Sequence, residues 1–416
     1  MKKISRYILP LILCILPIIL ILVTQKEKAE SQMPNLVTYS ASSEDELRGI
    51  WVASVINLDY PSSPTTSAEE LRNQIDIILN NIEAWGFNAV FLQVRPCSDA
   101  LYESEIYPWS AYLTGSQGMA PSSGFDPLDY WVAESHKRNL ELHAWINPFR
   151  ITHDLSEWEN LSAESPAKLH TEWTVKYNDN FYFDPALPQV RQLIIDGAVE
   201  LVENYDVDGI HMDDHFYPGT DFDDASSYAV YGADFMDIGD WRRNNINLLI
   251  QNMSKSLHDS NPDVVFGIAP AGIWASKSQN PAGSDTTNSY SSYYNLYADT
   301  KHWVESGWLD YIAPQLYWEI GHETSDFTTL LHWWADVVAA AENDTKLYIG
   351  LADYLTAEAA SSKDPWYNGA EIIRQINACN AAPEVEGMIH FRYQFIAESS
   401  VLQQILSQAY CDALSQ

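Results

Sequence analysis

From residue 47 onward the chain repeats one unit: a short apolar run, a loop, then a stretch with helical spacing. The runs are Arg48–Ser54, Asn88–Arg95, Leu140–Asn147, Val207–Asp213, Val264–Pro270, Asp310–Tyr317, Lys346–Leu351 and Glu386–Arg392. Between them lie helical patterns such as Ala68–Trp85, Pro127–Arg138, Pro188–Tyr205, Trp241–Leu257, Thr300–Ser306 and Leu330–Glu342. Strands that alternate with helices are joined by crossovers, and crossovers make parallel sheets. Eight such units predict an α/β fold, a closed (β/α)8 barrel in preference to an open doubly wound sheet. A length of 416 residues is within reach of one such barrel with insertions.

The connections are asymmetric. Turns from helix into strand are short, as at Gly86-Phe87 and Asn139, whereas those after strands run over 96–125, 148–186, 214–239 and 271–297. A barrel carries its site at the C-terminal ends of its strands, so these long loops mark the decorated face. They hold Trp109, Tyr112, Trp173, Tyr182, Trp274, Tyr293 and Tyr294. Strand alternation then sorts side chains between the barrel axis and the helices. The axial sets are Phe91, Gln93 and Arg95; His143, Trp145 and Asn147; Gly209, His211 and Asp213; and Tyr311, Ala313, Gln315 and Tyr317. Polar residues collect at the late positions, where a purely structural barrel would place Val, Ile and Leu. His143, deeper in its strand, reads as a satisfied core histidine.

Composition narrows the partners. With 23 Lys and Arg against 57 Asp and Glu, the net charge of −34 excludes nucleic acid and anionic lipid heads. The 15 Trp, 24 Tyr and 13 Phe suit either a large core or sugar rings, which stack on aromatics and hydrogen-bond at their rims. Cys14, Cys97, Cys379 and Cys411 are scattered without a C-x-x-C, so neither zinc nor thioredoxin-like chemistry is expected. Spacing leaves a Cys379–Cys411 disulfide open. No cofactor is expected.

Lys2, Lys3 and Arg6 precede an uncharged stretch, Tyr7–Val23. A positive start before an apolar run reads as a secretory signal or an uncleaved signal anchor. Either places everything after Thr24 outside the cytoplasm, and an anchor would tether the chain through residues 7–23. The expected organisation is therefore 1–24 signal or anchor, 25–46 polar linker and 47–416 barrel.

The sharpest motif is Asp206–Pro218, DVDGIHMDDHFYP, with Asp213 and Asp214 where the fourth run ends. Adjacent carboxylates repel, so one is expected to stay neutral near pH 7. A protonated acid beside an ionised one is what glycoside hydrolysis needs: one donates to the leaving oxygen while the other stabilises the anomeric carbon. A loop-capping role for the pair is the bland alternative. His211, His215 and the two acids are potential metal ligands, but no H-x-H or H-E-x-x-H spacing is present, and no metal is expected. The second constellation is Asp310–Glu319, DYIAPQLYWE. Gln315 and Tyr317 should face the site, Trp318 could stack on a sugar, and Glu319 is a candidate second catalytic acid or a loop carboxylate. Arg95, Asp99, Asn147 and Arg150 cluster after the second and third runs as candidate contacts for hydroxyl, acetamide or carboxylate groups, although Arg95 could equally form a salt bridge within the barrel. Trp145 and His211 complete the candidate substrate contacts.

Taken in order, several motifs resemble a known family. They are RGIWV at Arg48–Val52, FNAVFLQVR at Phe87–Arg95, ALY at Ala100–Tyr102, PWS at Pro108–Ser110 and LHAWINPFR at Leu142–Arg150. Asp184-Pro185, VDGIHMDDHFYP at Val207–Pro218, FGIAP at Phe266–Pro270 and YIAPQLYWE at Tyr311–Glu319 extend the match to nearly the whole barrel. The chain thus resembles the bacterial glycosyl-hydrolase-like family of (β/α)8 envelope proteins. That resemblance implies a barrel glycosidase, with relatives that act on peptidoglycan strands stripped of peptide. Cys97-Ser98 and His215 depart from it; an aromatic is usual at position 215. The acid pair also resembles that of N-acetylhexosaminide-cleaving enzymes, in which the substrate acetamide attacks the anomeric carbon, the first acid orients it and the second protonates the leaving oxygen. The expected activity is extracytoplasmic hydrolysis of a peptidoglycan-type glycan. A non-catalytic glycan-binding barrel and a polysaccharide deacetylase are the competing classes.

Overall fold

The computed structural model describes residues 46–411. The signal or anchor segment and residues 25–45 of the linker lie outside the described residues. Among the described residues, no helix is long and apolar enough to cross a membrane.

The strands are β1 (Leu47–Val52), β2 (Ala89–Arg95), β3 (Glu141–Ile146), β4 (Thr174–Tyr177), β5 (Asn180–Phe183), β6 (Gly209–Met212), β7 (Val265–Ile268), β8 (Tyr311–Ile312), β9 (Lys346–Leu351) and β10 (Val385–His390). Eight of them close a parallel barrel in the order β1-β2-β3-β6-β7-β8-β9-β10, with β10 back against β1. β4 and β5 form a separate antiparallel hairpin in the loop after β3. Each barrel strand leads to a helix: α1 (Ala68–Ala84), α2 (Pro127–His136), α3 (Pro188–Asn204), α4 (Ile238–Ser260), α5 (Thr300–Glu305), α6 (Phe327–Ala341), α7 (Ala370–Asn380) and α8 (Ser400–Tyr410).

Local chemistry sets these elements. In α1, Ser67 caps the N-terminus by accepting from the Glu70 amide, an S-x-x-E start. Leu71, Ile75, Ile78, Leu79 and Ile82 then make one buried stripe toward the sheet. Gly86, at φ 84°, turns the chain from α1 into β2; a Cβ there would lie 2.8 Å from Tyr410 of α8. The barrel interior is filled by rings set opposite glycines. A Cβ on Gly267 would lie 2.1 Å from the Tyr311 ring, one on Gly209 2.3 Å from His143, and one on Gly49 2.5 Å from Phe91. Glycine at these axial positions is what lets Phe91, His143 and Tyr311 lie across the barrel.

Two predicted strands differ in detail. The sixth run is regular only at Tyr311–Ile312, because Pro314 has no amide for the ladder; pairing resumes as bridges from Gln315 to Ala271 and Gly350. In β2 the register against β3 slips between Gln93 and Arg95, so Arg95 aligns with Ile146 and points outward. Cys379 is a buried free thiol, so the Cys379–Cys411 disulfide is not formed; the Cys411 sulfur sits over the Ala84 carbonyl.

An ion pair ties together the loops beyond β1 and β10, the two strands that close the barrel. Asp59, after β1, accepts from Arg392, just past β10, and from the amides of Ala53 and Gln394. Both side chains are almost fully buried. Asp59→Ala would leave the Arg392 charge buried without its partner. It should lower the unfolding free energy by about 3–5 kcal/mol, read by chemical denaturation; a change under about 1 kcal/mol, the scale of an exposed pair, would show that the pair does not hold the closure.

Candidate active site

The open end of the barrel holds a cleft of about 170 Å³. Trp51, Ala53, Val55, Leu58 and Phe391 form an apolar side, while Gln93, Trp145, Arg150, Gln315 and Tyr317 converge with Asp213, Asp214 and His215.

Asp213 follows β6 and is 5% exposed. The Asn147 amide donates to both its oxygens at 2.8 and 2.7 Å, Trp145 Nε1 donates at 3.2 Å, and the His215 backbone N–H donates at 3.1 Å. His215 Nδ1 lies 3.0 Å from Asp213 and 3.4 Å from Asp214. Burial alone would raise the Asp213 carboxyl. His215, Arg150 and Asn147 outweigh it and hold this group well below the ordinary carboxylate range. The His215 side chain is 48% exposed, and the two carboxylates beside it hold the imidazolium well above its usual 6.5. The expected repulsion between the adjacent acids is therefore relieved by a cation between them, which keeps Asp213 ionised.

Asn147 is itself held. Its oxygen accepts from Gln93 Nε2 at 2.6 Å and from Arg150 at 3.0 Å, and Gln93 Oε1 accepts the Ser54 and Val55 amides. Asp214 is freer: Gln315 Nε2 lies 3.3 Å away and donates more closely, at 2.7 Å, to the Ala269 carbonyl. The Tyr317 hydroxyl has no partner among the described residues. Burial and then Asp214 push its ionisation well above 10, so it stays a neutral donor, buried beside the cleft.

The structure thus brings together Asp213, Asp214, Trp145, Gln315 and Tyr317, with Asn147 behind Asp213. Other expected site residues lie elsewhere. Arg95, turned outward by the register slip, stacks on Tyr107 at 4.5 Å beside Gly197 of α3. His211 is axial but below the cleft floor. Trp51 Nε1 donates to its Nε2 at 3.0 Å, its Nδ1 is 2.9 Å from the Tyr311 hydroxyl, and burial lowers it to about 3, so it is a neutral core residue. Glu319 and Trp318 lie outside the cleft lining, where the Trp318 carbonyl accepts from Gln375 and the Glu319 carbonyl from the His322 amide. Asp99 lines a separate cavity. His143, between Glu141 and Tyr311, is a core residue as expected. Trp51, Phe391, Arg150 and His215 complete the cleft. Trp51 shares the axial parity of Gly49 and Ala53 on β1, a signal present in the sequence.

Asp213, Asp214 and His215 each offer an atom within 4.8 Å of the others, close enough to share a cation. The imidazole nitrogen already stands between both carboxylates as an internal cation. Hydrolysis should therefore survive exhaustive EDTA; loss restored by one added divalent ion would overturn that reading.

A parallel barrel whose C-terminal mouth carries paired carboxylates is compatible with glycoside hydrolysis among other chemistries. The comparisons agree: residues 46–368 match the family "Glycosyl hydrolase-like 10", and the chain belongs to that family. It is 41% identical over 357 residues to "Glycosyl hydrolase YngK" of Bacillus subtilis, covering 85% of this chain and 69% of that protein. It is 38% identical over 384 residues to "Glycosyl hydrolase DigH" of Escherichia coli K12, covering 87% of this chain and 86% of that one. The glycoside hydrolase domain of PgaB (BpsB) from Bordetella bronchiseptica shares the fold at TM-score 0.56 and 12% identity, over 88% of this chain and 99% of that domain. Alpha-L-fucosidase isoenzyme 2 from Paenibacillus thiaminolyticus superposes at TM-score 0.52 and 12% identity, over 89% of this chain and 49% of that one.

His215→Gln tests the ion pair. The folded pKa of Asp213 is depressed, so its share of stability is present above the unfolded carboxylate pKa and lost as pH falls through the folded value. Removing the cation should raise Asp213 and move that acid loss to higher pH, read by ¹³C carboxyl NMR and pH-dependent denaturation. An unmoved Asp213 would show that Asn147 and Arg150 suffice.

Proposed function

We propose that this protein is an extracytoplasmic glycoside hydrolase that cleaves an N-acetylhexosamine-containing, peptidoglycan-type glycan. The observation that carries this reading is the unequal environment of the two acids. Asp213 has its oxygens filled by Asn147, Trp145 and His215, whereas Asp214 faces the cleft with two longer contacts, His215 Nδ1 at 3.4 Å and Gln315 Nε2 at 3.3 Å. A saturated carboxylate cannot exchange protons readily and works as a fixed negative charge. Asp213 therefore stabilises the positive charge that develops at the anomeric carbon. Asp214 has the freedom to donate a proton to the leaving oxygen. Trp51 and Trp145 offer apolar surface to sugar faces, and Tyr317 donates to a hydroxyl or acetamide oxygen. The acetamide-assisted route fits with one change: Asp213 lacks a spare lone pair for the acetamide N–H and acts through charge.

The substrate class rests on the sequence resemblance and the location on the charged, apolar N-terminal segment. Relatives named as glycosyl hydrolases support the chemistry. Incubation with denuded peptidoglycan strands, followed by mass spectrometry, separates the readings. Shortened strands support hydrolysis, intact strands indicate a glycan-binding barrel, and loss of acetyl groups indicates a deacetylase.

The same assay tests the roles. Asp214→Asn should lower turnover on strands about 10²–10⁴-fold, and far less on an aryl glycoside, whose leaving group departs without a proton. Asp213→Asn should lower turnover on both, because the anomeric charge develops in either case. Near wild-type turnover in both variants would mean that the chemistry lies elsewhere.

A further inference from the structure

A second cavity, of about 290 Å³, opens between the loops after β2 and β3, close to the lower bound of roughly 300–1,000 Å³ for small-molecule pockets. It is separated from the catalytic cleft by a thin wall. Arg150 lines the cleft and lies beside the Cys97 sulfur, while Cys97 and Ile151 line the second cavity. Asp99 also lines it. Its carboxyl is 3% exposed, and its Oδ1 has no hydrogen-bond partner among the described residues. Buried polar oxygens are nearly always partnered, so a carboxylate left short of donors beside a cavity suits an occupant that brings one.

The rest of the wall restricts that occupant. Tyr112, Ile151 and Leu161 give apolar surface, and Gln117 and Asn160 bring amides. Glu157 is already engaged, accepting from the Tyr112 hydroxyl at 2.7 Å and the His153 amide at 2.6 Å. Its charge nevertheless opposes any anion beside Asp99. An O–H or N–H donor, an apolar face and no negative charge together describe a neutral sugar ring.

We propose that this cavity is a subsite for a neutral hexosamine ring of the same glycan strand whose scissile bond lies in the cleft. This rests on reading the cleft as a glycan site. Burial pushes the Asp99 carboxyl up to about 6, with Ser110 and Gln117 opposing and Glu157 adding, so it is chiefly an acceptor at neutral pH. The strand then crosses the Arg150 wall, and affinity for long chains comes partly from a site remote from the reacting bond.

The test uses rim positions outside the catalytic machinery. Ser116 and Asn160 line the cavity and are exposed, so Ser116→Trp and Asn160→Trp fill its mouth with little risk to folding. On denuded strands each should raise KM about tenfold, the scale of one lost buried charged hydrogen bond, and leave kcat within about twofold. An aryl N-acetylglucosaminide, which reaches only the cleft, should be cleaved as by the unaltered protein. Unchanged KM on strands in both variants overturns the subsite while leaving the glycosidase reading intact. If the unaltered protein cleaves neither substrate, calorimetry with the same strand oligosaccharides decides. Binding weakened about tenfold in both variants supports the subsite without hydrolysis, and unchanged binding overturns it. In crystals soaked with the oligosaccharide, a sugar hydroxyl or amide on the Asp99 carboxyl supports the subsite, and ordered water alone there overturns it.

Discussion

A carboxylate buried at the mouth of a barrel must be given donors, and supplying Asp213 organises the ends of four neighbouring strands. The amides after β1 donate to Gln93 on β2, Gln93 donates to Asn147 after β3, and Asn147 donates to Asp213 after β6. Each amide side chain in this relay uses its oxygen in one direction and its nitrogen in the other. That fixes orientation as well as position. Burying one ion costs several kcal/mol when its partners are missing. The relay and the His215 cation offset that cost, so the acid stays ionised where water is scarce. The same interactions leave Asp214 less constrained, and two adjacent carboxylates acquire different chemical characters.

The floor beneath this relay is stiff for a different reason. Phe91 stacks on His143 with centroids 4.5 Å apart, and His211 bridges Trp51 and Tyr311. Rings of this size cross a barrel only where the facing strand offers glycine, as at Gly49, Gly209 and Gly267. The aromatic wall of the cleft therefore stands on a packed layer. Trp51 belongs to both: its ring lines the cleft and its indole N–H holds His211. A substrate face resting on Trp51 meets a surface that cannot readily rotate away.

Alternation along the strands placed many side chains on the correct side of the sheet. Gln93, Trp145, Asn147, Asp213, Gln315 and Tyr317 all face the axis as their parity requires. It failed in two physical ways. Parity gives the side of a strand and not the height along it, so His211 shared the axial set yet lies under the floor. Parity also assumes an unbroken register, and one slip in β2 sent Arg95 outward. Beyond the strand ends no period exists. Asp99, Trp318 and Glu319 were grouped with the site by sequence distance alone, and loop paths carried them away from it. His215 stood out only as a departure from the family pattern, while its role as the cation between two acids needed coordinates.

The sequence by itself determined the repeating unit, the closed barrel, the decorated end and the acidic pair, because apolar periodicity and loop length are properties of the chain in one dimension. Only the tertiary structure decided how each acid is held, which polar residues reach the cleft, and that a second cavity lies behind Arg150. Those depend on distances between residues far apart in the chain, such as Asn147 and Asp213. Burial and hydrogen bonding, which set the charge of each group, exist only after the strands have closed.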